Sequence, residues 1–142
     1  MMIETDILYA FVKKSDWLKP VADRLMWMIK EDRFGDVAAS RESIHELYYV
    51  SMEEGATLDE FMTRVAALTS IGNLEFLATT VEIDLLAISI MRQYKFTSLF
   101  DAYHAATTLN QVPDHTLIST DEVFDRVPGL KRVDPRTLVE TE

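Results

Sequence analysis

The chain contains no cysteine. A disulfide framework and a thiolate-bound zinc are therefore excluded, and the composition fits a reducing compartment. Glycine is scarce, at four residues in 142. No Gly-rich loop stands between a strand and a helix, so dinucleotide and P-loop nucleotide binding lack their phosphate cradle. No G-x-S-x-G occurs, which leaves nucleophilic acyl transfer without a starting residue. The histidines stand singly at 45, 104 and 115 with no i, i+4 pair, which argues against a histidine-based zinc site. No apolar run approaches the ~18 residues that cross a bilayer. Acids at positions 4 and 6 are foreign to a signal peptide. The expectation is a soluble cytoplasmic protein, with no membrane partner and one domain over residues 1–142.

Positive charge is also in deficit, with 14 Lys and Arg against 24 Asp and Glu, a net charge of −10. A surface this acidic disfavours unaided, non-specific nucleic-acid binding, because such affinity comes mainly from neutralising phosphates. Part of the excess is expected to be a carboxylate cluster built for cations, and the rest a solvated surface or a face for a basic partner.

What is present reads as alternating strands and helices. Short strands are predicted over residues 2–4, 37–39, 74–77, 116–119 and 131–133. Helical spacing of apolar residues predicts helices between them, and Pro128, Pro135 and their neighbours suggest a closing tail. Thr5 or Asp6 is the expected cap of the first helix, Ser15 or Asp16 the start of the second, and Ser40 the cap of the third. Thr57 with Glu60 forms a capping box, and Thr80 opens a long helix. The pattern predicts an α/β fold, a three-layer α/β/α sandwich around a short parallel sheet.

The acids then fall at equivalent places. Glu4 and Asp6 flank the end of the first strand. Glu46 projects from the helix after the second, and Asp101 and Asp121 frame the last helix–strand unit. In a parallel sheet all five can meet at the carboxyl edge, where ligands bind. Like charges held together repel and stay ionised only with a cation among them. All-oxygen ligands suit Mg²⁺ or Mn²⁺, and such an ion equips a site for phosphodiester hydrolysis.

Four segments carry a resemblance: residues 3–8 (IETDIL), Ser40 with Glu46-Leu47, Phe100-Asp101-Ala102 with Ala105-Ala106, and Ile118-Ser119-Thr120-Asp121 with Phe124. In this order and spacing the chain resembles the PIN-domain ribonucleases, close to the VapBC-type toxins. The resemblance implies a Mg²⁺- or Mn²⁺-dependent endoribonuclease leaving 5′-phosphate and 3′-hydroxyl ends, the toxin of a toxin–antitoxin pair. It implies Asp6, Glu46, Asp101 and Asp121 as catalytic residues, with Asp6, Glu4, Asp101 and Asp121 holding metal. Ser119 and Asp125 would support them. The implied partners are an RNA substrate, an antitoxin protein and a second copy of the chain. The chain departs from the family at Glu4, which stands where the first metal-binding Asp belongs, so Asp6 is the favoured ligand and Glu4 the alternative.

Two other classes remain open from the residues. A non-catalytic PIN-fold interaction module would explain Glu4 and bind no metal tightly. A haloacid-dehalogenase-like phosphatase would use Asp121-x₃-Asp125 as its last motif, but needs an Asp nucleophile at position 4. His104, one turn after Asp101, is read as packed or exposed more readily than as a site residue. Trp17, Met26, Trp27 and Met28 read as core or partner surface. Lys13, Lys14, Lys19 and Arg24 read as a solvated face that can also hold an RNA backbone.

Overall fold

The computed structural model describes residues 1–140. Among these, five strands form one all-parallel sheet in the order β3-β2-β1-β4-β5. They are β1 (Met2–Ile3), β2 (Val37–Ser40), β3 (Leu74–Leu77), β4 (Thr116–Ile118) and β5 (Lys131–Val133). The helices are α1 (Thr5–Val12), α2 (Lys19–Lys30), α3 (Glu42–Glu53), α4 (Leu58–Thr69), α5 (Val81–Tyr94), α6 (Leu99–Gln111) and α7 (Pro135–Glu140). The α/β sandwich expected from the alternation is the fold.

Adjacent residues of the central strands serve opposite faces. Met2 and Leu117 pack against α5 and α6 through Ile83, Ala87, Ala102 and Ala105. Ile3 and Ile118 pack the other way, against Ile7 and Leu8 of α1 and Leu25, Met26 and Ile29 of α2. These strands are buried on both faces, as a parallel sheet between two helical layers requires. The alanines of α6 let its backbone come close to the sheet. Phe124, in a 3₁₀ turn at Glu122–Arg126, closes the same layer against Phe96 with ring centroids 6.1 Å apart.

Several boundaries differ from those expected. α2 starts at Lys19 rather than at Ser15 or Asp16. Pro20 sits in its first turn, where a missing N–H costs nothing, and Asp16 instead accepts the Leu18 N–H in the turn before it, at 2.9 Å. Ser40 ends β2 one residue ahead of the α3 cap position, although its hydroxyl still accepts the Glu42 N–H at 3.1 Å. The proline-containing tail forms α7, with Pro135 at its first position and the Asp134 carboxylate accepting the Arg136 N–H at 2.9 Å. The Trp17–Met28 cluster divides: Met26 and Met28 are core, whereas Trp17 and Trp27 are exposed.

β1 lies in the middle of the sheet, hydrogen-bonded to β2 on one side and β4 on the other. The chain winds outward from β1 to β3 and then returns to add β4 and β5 on the opposite side. A crevice opens outside the carboxyl ends of strands where the order reverses in this way. The residues following β1 and β4 therefore face one another across it.

Candidate active site

Glu4 is the first residue beyond β1, and it is the cap of α1. Its Oε2 accepts the Asp6 N–H at 2.8 Å and its Oε1 accepts the Ser119 hydroxyl at 3.0 Å. Ser119 in turn accepts the Asp121 N–H at 3.0 Å, so one hydroxyl ties the ends of β1 and β4 together. The expected caps, Thr5 and Asp6, are engaged elsewhere. Thr5 donates its hydroxyl proton to Ser43 Oγ at 2.9 Å. Asp6 Oδ2 accepts the Thr120 N–H at 3.2 Å and the Thr120 hydroxyl at 2.7 Å. Asp6 Oδ1 is buried and has no hydrogen-bond partner among the described residues.

Two helices bring the remaining acids. α3 carries Glu46 into the crevice one turn beyond Ser43. α6 carries Asp101 in its first turn, where the Ser98 hydroxyl accepts the Asp101 N–H at 3.3 Å. Asp121 caps the 3₁₀ turn through the Val123 N–H at 2.9 Å. Glu4, Asp6, Glu46, Asp101 and Asp121 line one cleft of about 420 Å³, walled by Thr5, Tyr9, Val50 and Thr120. The structure thus brings together all five acids singled out in the sequence. Asp125 is not among them. It makes a bidentate pair with Arg132 at 2.9 and 3.1 Å, and Arg132 donates to the Ser119 carbonyl at 3.1 Å. That guanidinium links Asp125 to the end of β4, and Asp125 does not line the cleft. None of Lys13, Lys14, Lys19 and Arg24 lines the cleft. Lys13 pairs with Asp16 and Glu54, and Lys19 with Asp23.

Crowded carboxylates perturb one another. Burial raises Glu4 well above the ordinary carboxylate range, and the charges of Asp6, Glu46 and Asp101 add to the effect. Burial also raises Asp6, against the opposing hydrogen bonds from Thr120. Asp101 is pushed up to about 6, first by burial and then by Glu46, Asp121 and Asp6, although His104 works against the shift. Glu46 goes the other way. Burial acts to raise it, but the hydrogen bond from His104 holds it below its usual value. Such a split among neighbouring acids is characteristic of functional sites.

The donor set fits a hard divalent cation. It is dominated by carboxylate oxygens, three of its acids resist ionisation without a compensating charge, and Asp6 Oδ1 has no hydrogen-bond partner among the described residues. Asp6, Asp101 and Asp121 are the residues that would hold it, whereas Glu4, the alternative first ligand, has its two oxygens engaged by the Asp6 N–H and the Ser119 hydroxyl. Ligand atoms of Glu4, Glu46 and His104 also come within 4.8 Å of one another, but the histidine nitrogen concerned is bonded to Glu46 at 2.9 Å.

The model of the PIN domain family matches residues 1–130. The chain belongs to the PIN domain family. Solved structures agree on the fold. VapC20 of Mycobacterium tuberculosis, a toxin that cleaves the sarcin-ricin loop, superposes with a TM-score of 0.71 at 16% identity, covering 87% of this chain and 92% of that one. A toxin–antitoxin complex from Klebsiella pneumoniae gives 0.61 at 20% identity, covering 94% and 96%. VapBC2 of Rickettsia felis, bound to a DNA fragment from its promoter, gives 0.69 at 14% identity, covering 93% and 96%. No curated protein sequence is significantly similar to the chain. This PIN domain therefore has the fold of VapC toxins.

The sequence left several site residues unmarked. Thr120 holds Asp6 but reads as an ordinary turn residue between Ser119 and Asp121. Thr5 and Ser43 look like helix starts. His104 gave one signal, a polar side chain on the apolar, alanine-lined stripe of α6, and burial there explains it.

Proposed function

We propose that this PIN domain is a Mg²⁺- or Mn²⁺-dependent endoribonuclease and the toxin of a toxin–antitoxin pair. The observation that carries the reading is the convergence of five acids from β1/α1, α3, α6 and the end of β4 on one cleft. A bound divalent cation would supply Lewis-acid stabilisation of the phosphodiester and its departing oxygen. Asp6, Asp101 and Asp121 would hold that ion, with Glu4 steadying Asp6 and the β4 end through the Asp6 N–H and Ser119. Glu46, kept ionised by His104, would accept a proton from the attacking water as that water adds to phosphorus in line. The P–O3′ bond breaks and the departing O3′ takes a proton from solvent water, leaving a 5′-phosphate and a 3′-hydroxyl.

The direct test is cleavage of a mixed-sequence, fluorescently labelled RNA with Mg²⁺, with Mn²⁺ and with EDTA. Cleavage in either metal that disappears in EDTA is the expected result. Cleavage that persists in EDTA overturns the metal requirement. A protein that neither binds Mn²⁺ by calorimetry nor cleaves is the non-catalytic interaction module.

Two partners belong to the same reading. The toxin–antitoxin neighbours support an antitoxin partner, which this proposal places over the cleft, and a short upstream gene encoding a DNA-binding protein would supply it. A second copy is supported by α5, where Val81, Leu85 and Ile88 recur at helical spacing while 70, 65 and 58% exposed. Apolar side chains standing together in this way mark an interface. Light scattering is expected to give twice the 16.3 kDa chain mass for the wild type and a single chain for Leu85→Lys. A monomeric wild type overturns the dimer.

A further inference from the structure

His104 touches neither the RNA nor the metal in the reaction as written, yet it is fully buried next to cleft-lining Glu46 and Thr5. Its Nε2 lies 2.9 Å from Glu46 Oε1 and 3.1 Å from Thr5 Oγ1. An ionised carboxylate only accepts hydrogen bonds, and the Thr5 hydroxyl already donates its proton to Ser43. Both neighbours therefore require the histidine proton on Nε2. Nδ1 is buried without a partner among the described residues, a cost that the two bonds at Nε2 must outweigh. With Nε2 protonated and donating to Glu46, that nitrogen has no lone pair for a metal. The distance that groups it with Glu4 and Glu46 as possible ligands is thus the distance of a hydrogen-bonding support.

The contacts join three elements. Thr5 opens α1 beside Glu4 and Asp6, Ser43 and Glu46 lie on α3, and His104 follows Asp101 on α6. Every helix that brings an acid to the cleft is attached to this one buried node. Rigid supports of this kind decide whether a site is held in productive geometry.

From this geometry we infer that His104 is a positioning residue: its Nε2–H fixes the Glu46 carboxylate and locks α1, α3 and α6 in the register that closes the cleft. The effect on rate rests on the nuclease reading; the hydrogen bond itself does not. Glutamine carries an N–H donor near the place of Nε2, and leucine fills similar space without one. His104→Leu is expected to lower kcat about 10- to 100-fold with KM changed less than about twofold, the range for losing a supporting hydrogen bond. His104→Gln should restore most of that loss. In a Glu46→Gln background His104→Leu should cost less than about twofold more, because residues acting through one another are non-additive.

Circular dichroism and melting establish that each variant is folded. A long-range ¹H–¹⁵N spectrum of the histidine rings gives a readout free of activity, and is expected to place the His104 proton on Nε2 alone. A proton on Nδ1 alone overturns the inference whatever the kinetics. So does an active wild type in which His104→Leu and Glu46→Gln losses multiply, or in which His104→Gln fails to rescue. A wild type that cleaves no RNA, with the proton nevertheless on Nε2, overturns the nuclease reading and the kinetic role together while leaving the structural node in place.

Discussion

Asp101→Asn is expected to lower RNA cleavage by more than about a hundredfold while leaving the protein folded. Changing a group that only supports a metal ligand typically costs about 10- to 100-fold, and Asp101 lines the cleft itself. Asparagine is nearly isosteric, so the α6 N-terminus and its Ser98 cap are preserved. It removes one negative charge from a site whose acids already raise one another's proton affinity. The variant should therefore melt at a higher temperature than the wild type in metal-free buffer near neutral pH. Lower activity with higher stability separates a lost site from a damaged fold. Near-wild-type cleavage by purified Asp101→Asn would remove this residue from the mechanism.

The second large effect concerns pH. Asp101 titrates at about 6 in the folded protein against 3.8 for an ordinary aspartate, and Glu4 and Asp6 are raised in the same direction. Between the unfolded and folded values the native chain binds more protons than the unfolded chain, so stability falls as pH rises through that window. Read downward from pH 7.5, the metal-free protein gains stability as the raised acids become protonated in the native state, and the gain ends only when the same carboxylates are protonated in the unfolded chain as well. Glu46, Glu54, Asp114 and Asp134 are lowered. Their contribution is present above the ordinary carboxylate range and is lost as pH falls through their folded values. The two trends place the optimum near about pH 5. Melting in EDTA should then be a few degrees higher at pH 5 than at pH 7.5, and Mg²⁺ should raise the pH 7.5 value more than the pH 5 value. A melting temperature that climbs steadily from pH 5 to pH 7.5 in EDTA would show that the acids are not crowded as described.

The legible parts of the molecule were those fixed by local pattern. Residues 74–77 are a strand in the structure because Leu74-Glu75-Phe76-Leu77 lies between two turn signals, and α5 begins where Thr80 caps it. The five acids were visible because each sits at a strand end or in a helix facing one. The errors came from side chains drawn into distant partnerships. Thr5 and Asp6 are good local caps, but Ser43 and Thr120 claim them, and the longer Glu4 takes the cap instead. That exchange gives a physical reason for the glutamate: one more methylene lets a residue at the strand end reach both the α1 N-terminus and Ser119. Asp6 is left with an oxygen open for a cation. His104 was obscure for the same reason, since its meaning depends on Glu46, 58 positions away.

The central position of β1 has a consequence for how the protein is made. Glu4 meets Ser119 across 115 positions of sequence, and Asp6 meets Thr120 across 114. Contacts this distant close late, because the loop between them must be ordered first. A chain emerging from the ribosome holds its first strand unpaired on one side until β4 has been synthesised. The cleft thus assembles only after β4, and a copy translated no further than α6 lacks its Ser119, Thr120 and Asp121 wall. For a protein read as destroying RNA, the topology itself delays its activity until the segment following β4 has been made.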